Sequence, residues 1–151
     1  MRARVLVFAV VCGCSSSNAG NGTTMLSISV GGASPITLTV DPFAAQLPQS
    51  VSFLAMSSDA TVFVSFGKSI AASSPMLTIG TAAGTATVFA KDVNVDRPLT
   101  AVTGTVALDS FDLSSAGQFG IRIVDAEKPT DTAGPSVRID GSLTGSWDQI
   151  Q

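Results

Sequence analysis

The 151-residue sequence contains no histidine and no tyrosine, a single tryptophan, Trp147, and only two cysteines, Cys12 and Cys14. Without imidazole there is no Ser-His-Asp or Cys-His catalysis, no zinc site built on histidine, and none of the commonest general base near neutral pH. Charged residues are scarce as well, at 13% of the chain. No apolar run approaches the roughly 20 residues that a helix needs to cross a bilayer. Eleven acidic residues stand against eight basic ones, and the basic ones form no cluster. That balance argues against nucleic acid and against anionic lipid surfaces as partners.

The N-terminus carries the sharpest positive signal. Arg2 and Arg4 precede Val5–Val11, an unbroken apolar run, and small residues then lead to Cys14 and a polar Ser/Asn/Gly stretch. A basic segment, a short apolar segment and a small-residue site in that order make a secretory signal. Val11-Cys12-Gly13-Cys14 resembles the lipobox of bacterial lipoproteins, with an aliphatic residue at −3, a small residue at −1 and then the cysteine. The resemblance implies that residues 1–13 are removed and that Cys14 is lipidated and becomes the first residue. Ser15, which is not aspartate, implies delivery to the outer membrane in Gram-negative members. The membrane is then a partner through the N-terminal lipid, and two or more acyl chains make such attachment stable. Residues 14–24, small and polar, read as a flexible tether. Two alternatives stand beside this one. Ser17-Asn18-Ala19 suits an ordinary signal-peptidase site that releases a soluble, secreted protein beginning at Gly20. Residues 5–11 also suit a short buried strand.

From Cys14 onward the chain is long enough for one domain with a real core and too short for two. Removal of Arg2 and Arg4 leaves Lys68, Lys91, Arg97, Arg122, Lys128 and Arg138 as the only basic residues. With Cys12 removed and Cys14 modified, no disulfide is possible. Residues 25–151 then read as a single domain standing on its hydrophobic core.

Short alternating runs fill that domain. Met25–Val30, Ile36–Val40, Val51–Ala55, Val62–Phe66, Met76–Ile79, Thr85–Ala90, Val102–Leu108, Phe119–Val124 and Ser136–Leu143 are rich in Val, Thr, Ile and Phe and bounded by turn residues. About nine such strands predict an all-β fold, an antiparallel β-sandwich of immunoglobulin-like or jelly-roll-like type. One short helix is expected over Asp41–Leu47, with Asp at the N-cap, Pro42 at the first helical position and Pro48 closing it. Gly104-Thr105-Val106 followed by Ser110-Phe111-Asp112 is echoed by Gly141-Ser142-Leu143 followed by Ser146-Trp147-Asp148. The echo is read as shared strand chemistry, because pattern matches this short are weak. The closing segment Gly141–Asp148 also resembles the terminal strand of small bacterial lipoproteins, which implies a β-sandwich and no particular activity.

Several motifs lack the context their chemistry needs. Ser65-Phe66-Gly67-Lys68 has the S-x-x-K spacing of serine β-lactamases, but Gly67 breaks the required helix and the partner motifs are missing. Gly67-Lys68-Ser69 lacks the leading glycine of a phosphate-binding loop, since Val62 holds its place. Asp92, Asn94 and Asp96 place three oxygen side chains at alternating positions and form a weak calcium candidate. An EF-hand would need glycine and glutamate where Arg97 and Thr103 stand. The bland reading is a charged edge strand that deters edge pairing. Asp109/Asp112, Asp125/Glu127 and Asp140/Asp148 are available as glycosidase carboxylate pairs, without the Trp and Tyr platforms that sugar sites usually add.

Trp147 suits a core lid or, less readily, an interaction site. Phe63 runs out of phase with Val62 and Val64, so it faces a second layer or a partner. The long polar loop at 125–136 suits either recognition or a plain connector. Together these features predict a lipid-anchored, non-catalytic envelope β-sandwich. Its expected role is structural, or an interaction with an envelope protein or polysaccharide, with no cofactor and no nucleic acid. A small-ligand or carbohydrate-binding module, assisted by calcium, is the alternative.

Overall fold

Residues that alternate between apolar and polar put one face of each strand into a core, and this pattern dictates the architecture. The computed structural model describes residues 22–93, 95, 97–114 and 117–147. Eleven strands follow in order: β1 (Thr23–Val30), β2 (Ile36–Leu38), β3 (Phe43–Gln46), β4 (Ser50–Met56), β5 (Ala60–Gly67), β6 (Met76–Thr78), β7 (Thr87–Asp92), β8 (Leu99–Thr100), β9 (Thr103–Phe111), β10 (Gln118–Lys128) and β11 (Val137–Ser146). A single helix among the described residues, α1 (Lys68–Ser73), joins β5 to β6. The strands form a six-stranded sheet in the order β2-β1-β11-β10-β9-β6 and a five-stranded sheet in the order β3-β4-β5-β7-β8. Every strand pairing is antiparallel. The two sheets pack as a β-sandwich.

The core is the sum of the inward faces. Leu26, Ile28 and Val30 of β1 and Val137, Ile139 and Leu143 of β11 meet Val51, Phe53 and Ala55 of β4 and Val62, Val64 and Phe66 of β5. One end of the sandwich is closed by five rings. Phe53 lies 4.8 Å from Phe119 and 5.4 Å from Trp147, and Phe111 touches both Phe66 and Trp147. Trp147 is 3% exposed, so the core-lid reading describes it and its ring offers no surface to a partner. The four edge strands, β2, β6, β3 and β8, are two to four residues long, which leaves little open backbone for intermolecular pairing.

Two expectations are corrected. The stretch at 41–47 is not a helix: Phe43–Gln46 forms β3, paired with Val51–Leu54 through a turn in which the Leu47 N–H donates to the Ser50 carbonyl at 2.8 Å. As a strand, these residues gain the free edge of β4 to pair with. The helix falls instead at Lys68–Ser73, and β3 and β8 raise the strand count from about nine to eleven. The second correction concerns Asp92. It closes β7, an interior strand, and is buried. Val93 N–H then donates to the Asp59 carbonyl and Val95 N–H to that of Asp92, so Asp92 ends an interior strand and does not stand on a charged edge.

The sequence echo has a structural counterpart. Gly104 and Gly141 both adopt positive φ, 114° and 137°, where the chain passes close to a neighbouring strand. A Cβ on Gly141 would sit 2.0 Å from the Met25 carbonyl oxygen, and one on Gly104 would sit 2.5 Å from that of Asp125. Only glycine fits such approaches. Their strands, β11 and β9, flank β10 on either side and lead to Trp147 and Phe111, which pack edge to face at 5.8 Å.

Candidate functional site

The two outer faces of the sandwich differ in chemistry. On the six-stranded sheet the charged outward side chains are mutually paired, among hydroxylic residues and the exposed Met25 and Met76. Arg122 makes a two-point bond to Asp109 at 2.5 and 2.8 Å. Arg138 contacts Asp125 at 2.6 Å, Asp140 at 3.0 Å and Glu127 at 3.3 Å. These partners, Asp140 foremost, raise the pKa of the Arg138 guanidinium. The glycosidase pairs are therefore tied up. The Arg122 hydrogen bond holds the Asp109 carboxyl below its ordinary value, and Ser114, through its backbone N–H and then its hydroxyl, does the same to Asp112. A general acid needs a raised pKa, and both shifts run the other way. Asp148 lies outside the described residues.

The outer face of the five-stranded sheet is apolar along its middle. Strand register aligns Phe43 with Leu54, Leu54 with Phe63, Phe63 with Phe89, and Phe89 with Thr100, a row that crosses all five strands. Phe43 is 51% exposed, while Leu54, Phe63 and Phe89 are half-buried by one another. Met56, 62% exposed, extends the patch along β4. Flanking rows are hydroxylic: Ser52 pairs with Ser65 and Ser65 with Thr87, while Thr61 pairs with Met56 and Lys91. No outward residue of these strands is acidic, and Lys91 is the one charge among them. Aromatic anchors inside a polar rim with a single charge are the composition of a protein contact surface.

Ring orientation narrows what this face can receive. Phe63 and Phe89 stack on each other at 4.8 Å with 20° between their planes. Neighbouring rings that face one another across two strands stand up from the sheet and turn their edges outward. A sugar-stacking platform needs the opposite, rings lying flat with a π-face free.

The remaining sites carry less. Ser65 Oγ lies 3.1 Å from Ser52 Oγ and donates to the Val51 carbonyl from inside β5, while Lys68 opens α1. The two residues of the S-x-x-K spacing thus occupy different elements, not one helical face. An open cleft of about 300 Å³ lies between α1 and β9, lined by Ala71, Ala72, Ser73, Ser74, Pro75, Leu108 and Phe111, with no titratable side chain among them. Among the described residues no group of three or more Asp, Glu, Cys or His is arranged to hold a metal ion. Asn94 and Asp96 of the calcium candidate, and Cys14, lie outside the described residues.

Sequence reading singled out Phe63 from its phase alone. It missed Phe43, Leu54 and Phe89, because their alignment with Phe63 is a property of strand register that one strand's pattern does not contain. The loop at 129–136 is held from within. The Lys128 ammonium, 6% exposed, bonds Asp131 Oδ1 at 2.8 Å and the Pro129 carbonyl at 2.9 Å, with those of Gly134 and Pro135 at 3.3 and 3.4 Å. Arg97 ties the same loop to β8's approach through the Ala133 carbonyl.

No protein-family model matches this chain, and neither a curated protein nor a solved structure does. No helix among the described residues is long and apolar enough to cross a membrane.

Proposed function

We propose that the chain is a lipid-anchored protein of the bacterial cell envelope, tethered through Cys14 at the outer membrane. Its role there is non-catalytic, presenting the outer face of the five-stranded sheet to an envelope protein or polysaccharide. The observation that carries this reading is the outward-facing apolar row from Phe43, which is exposed, through the half-buried Leu54 and Phe63 to Phe89. A monomer has no reason to leave aligned large apolar side chains on an otherwise hydroxylic sheet face. The lipobox resemblance at Val11–Cys14 supports the anchor. The chain also enters β1 at Thr23, opposite the end of that sheet where Val30 pairs with Val137 and Val137 with Lys128. A tether from the membrane therefore leaves the Lys128 loop at the far end. Between the two partner classes, the upright Phe63 and Phe89 rings favour protein over sugar.

The test is the intact mass and membrane fractionation of the natively expressed protein beside Cys14→Ala and Phe63→Lys variants. A triacylated species starting at Cys14, found with membranes and lost on Cys14→Ala, supports the anchor. A soluble product starting at Gly20 and indifferent to that change overturns it in favour of a secreted binding module. Loss of envelope cross-links in Phe63→Lys, with membrane attachment intact, supports the surface.

A further inference from the structure

We infer that the β3 edge of the sandwich rests on a zwitterionic phospholipid surface, with the side chains of Phe43 and Leu47 entering the headgroup level. The inference rests on the reading that Cys14 is lipidated, and it concerns the rim where the chain enters the domain. That entry point is fixed by contact. A Cβ on Gly22 would sit 2.7 Å from the Thr144 carbonyl oxygen and 2.8 Å from Pro42 Cδ, so residues 1–21 attach beside Pro42, the residue before β3. The step from Cys14 to Gly22 spans at most about 28 Å when fully extended. β10 alone has eleven residues, about 37 Å as a strand. A leash shorter than the domain favours contact through the surface around its exit.

The side turned away from the membrane follows from the sheet order. β3 and β8 are the two edges of the five-stranded sheet. The loop at 129–136 packs at the β8 edge, where a Cβ on Gly134 would lie 3.1 Å from Leu99 Cδ2 and Arg97 bonds the Ala133 carbonyl. With β3 toward the bilayer, that loop and β8 point away from it. The face bearing Phe63 then stands upright from the membrane, open to a partner.

The rim has the chemistry of an interfacial contact. Phe43 and Leu47 are both exposed, about 13 Å apart along an extended chain. The Gln46 side-chain amide, next to Leu47, donates to the Leu113 carbonyl at 3.2 Å and braces β3 against the loop after β9. Lys68, whose backbone N–H bonds the Gln49 carbonyl at 3.0 Å, stands at the Leu47 end of the rim, and Asp41 stands at the Phe43 end. One charge of each sign suits zwitterionic headgroups, whereas the acidic chain as a whole disfavours an anionic surface. The backbone limits the depth. Among the described residues no strand lies on the outer side of β3, so its N–H and C=O groups there need water or headgroups as partners. Only the side chains reach the acyl boundary, as in other surface-lying anchors.

The experiment puts a polarity-sensitive fluorophore on one introduced thiol in the natively expressed chain, reconstituted into phosphatidylethanolamine and phosphatidylcholine vesicles containing acyl-brominated lipid. Gln49→Cys places the label on the β3 rim and leaves Phe43 and Leu47 intact, while Thr132→Cys places it on the exposed loop beside β8. Trp147 fluorescence reports that each variant is folded. The expected result is a Gln49 label that is blue-shifted and quenched by bromine, a Thr132 label that is neither, and loss of the Gln49 quenching when Phe43→Ser and Leu47→Ser are added. On a chain that floats with the vesicles, equal quenching of the two labels, none at Gln49, or quenching that the serine variants leave unchanged overturns the inference and leaves the anchor standing. A Gln49 label that is blue-shifted but unquenched overturns it in favour of a contact between copies. A chain that does not float with the vesicles removes the anchor reading, and the inference with it.

Discussion

The indole N–H of Trp147 donates to the backbone carbonyl of Asp112 across 2.5 Å. Beneath that bond the Trp147 ring packs against Phe53, Phe111 and Phe119. The bond ties the end of β11 to the residues just after β9, across the strand β10 that separates them.

The polar half of this contact is separable from the apolar half. Trp147→Phe keeps an aromatic ring in the cluster but leaves the Asp112 carbonyl without its donor, a loss of about 1–2 kcal/mol. Trp147→Ala also empties the end of the core and should cost about 3–5 kcal/mol. Urea melts followed by far-ultraviolet circular dichroism check both. Equal losses in the two variants would mean that the hydrogen bond, rather than the packing, holds this end closed.

Gly141 sets the register between β1 and β11. Its φ is 137°, and a Cβ there would come within 2.0 Å of the Met25 carbonyl oxygen, which leaves no room for a side chain. Gly141→Ala must push apart a pair of strands that line the core, and about 3 kcal/mol or more is the expected cost. Gly84 is the control. It too has positive φ, 86°, but nothing lies within 4 Å of its would-be Cβ, so Gly84→Ala carries backbone strain alone and should cost about 1 kcal/mol. Thermal melts of the two variants should therefore separate clearly.

Gly104 and Gly141 show where sequence reading stops. The alternating runs of β1, β4, β5 and β11 were legible, because each carries its own inside and outside. The repeated Gly…aromatic-Asp pattern was visible too, but its cause, two close approaches on either side of β10, is a contact between segments distant in sequence. The helix expected at 41–47 failed for a related reason. Asp41 and Pro42 are good helix-starting residues, yet the free edge of β4 offered Phe43–Gln46 a better set of backbone partners. Phe63 could be picked out by phase, whereas the row that gives it meaning needed the register of four strand pairs.

Thr24 faces the core on β1, fully buried, and its hydroxyl has no hydrogen-bond partner among the described residues. Its neighbours on the same strand face are Leu26 and Ile28. Thr24→Val keeps the branched shape and removes an oxygen that was stripped of water without compensation. The variant should be more stable by about 1 kcal/mol, measured as a higher urea midpoint at unchanged m-value.

Stability should be level through neutral pH and fall only in acid. No histidine is present, so no described side chain has its reference pKa between about 5 and 8. Asp109, Asp112 and Asp131 are all lowered from 3.8 in the folded chain, chiefly by hydrogen bonds from Arg122, the Ser114 backbone and Lys128 respectively. A carboxyl whose pKa is depressed by folding contributes stability above its unfolded value and loses it as pH drops through the folded value. The loss should therefore begin near pH 4 and deepen below it. A midpoint that moved between pH 6 and 8 would contradict this assignment.

Lys128 is where that acid sensitivity acquires a local address. Its ammonium is nearly inaccessible to solvent, and its four oxygen partners all belong to the loop at 129–136. Asp131 is the one charged member, and its Oδ1 also accepts the Ala133 N–H at 2.7 Å. Protonating Asp131 removes the counter-charge while leaving the carbonyls in place, so the loop should loosen before the sheets do. Lys128→Met fills the same channel without charge, strands the inward-turned carbonyls and should cost about 2 kcal/mol. Hydrogen exchange separates the effects. Lys128→Met at pH 7 and the wild type in acid strong enough to protonate Asp131, whose pKa is lowered from 3.8, should both lose amide protection in 129–136 first, with β4 and β5 retained. Asp131→Asn should reproduce the acid result at neutral pH. If protection in the loop and in β5 were lost together in all three cases, the Lys128 cluster would belong to the global fold rather than to the loop it encloses.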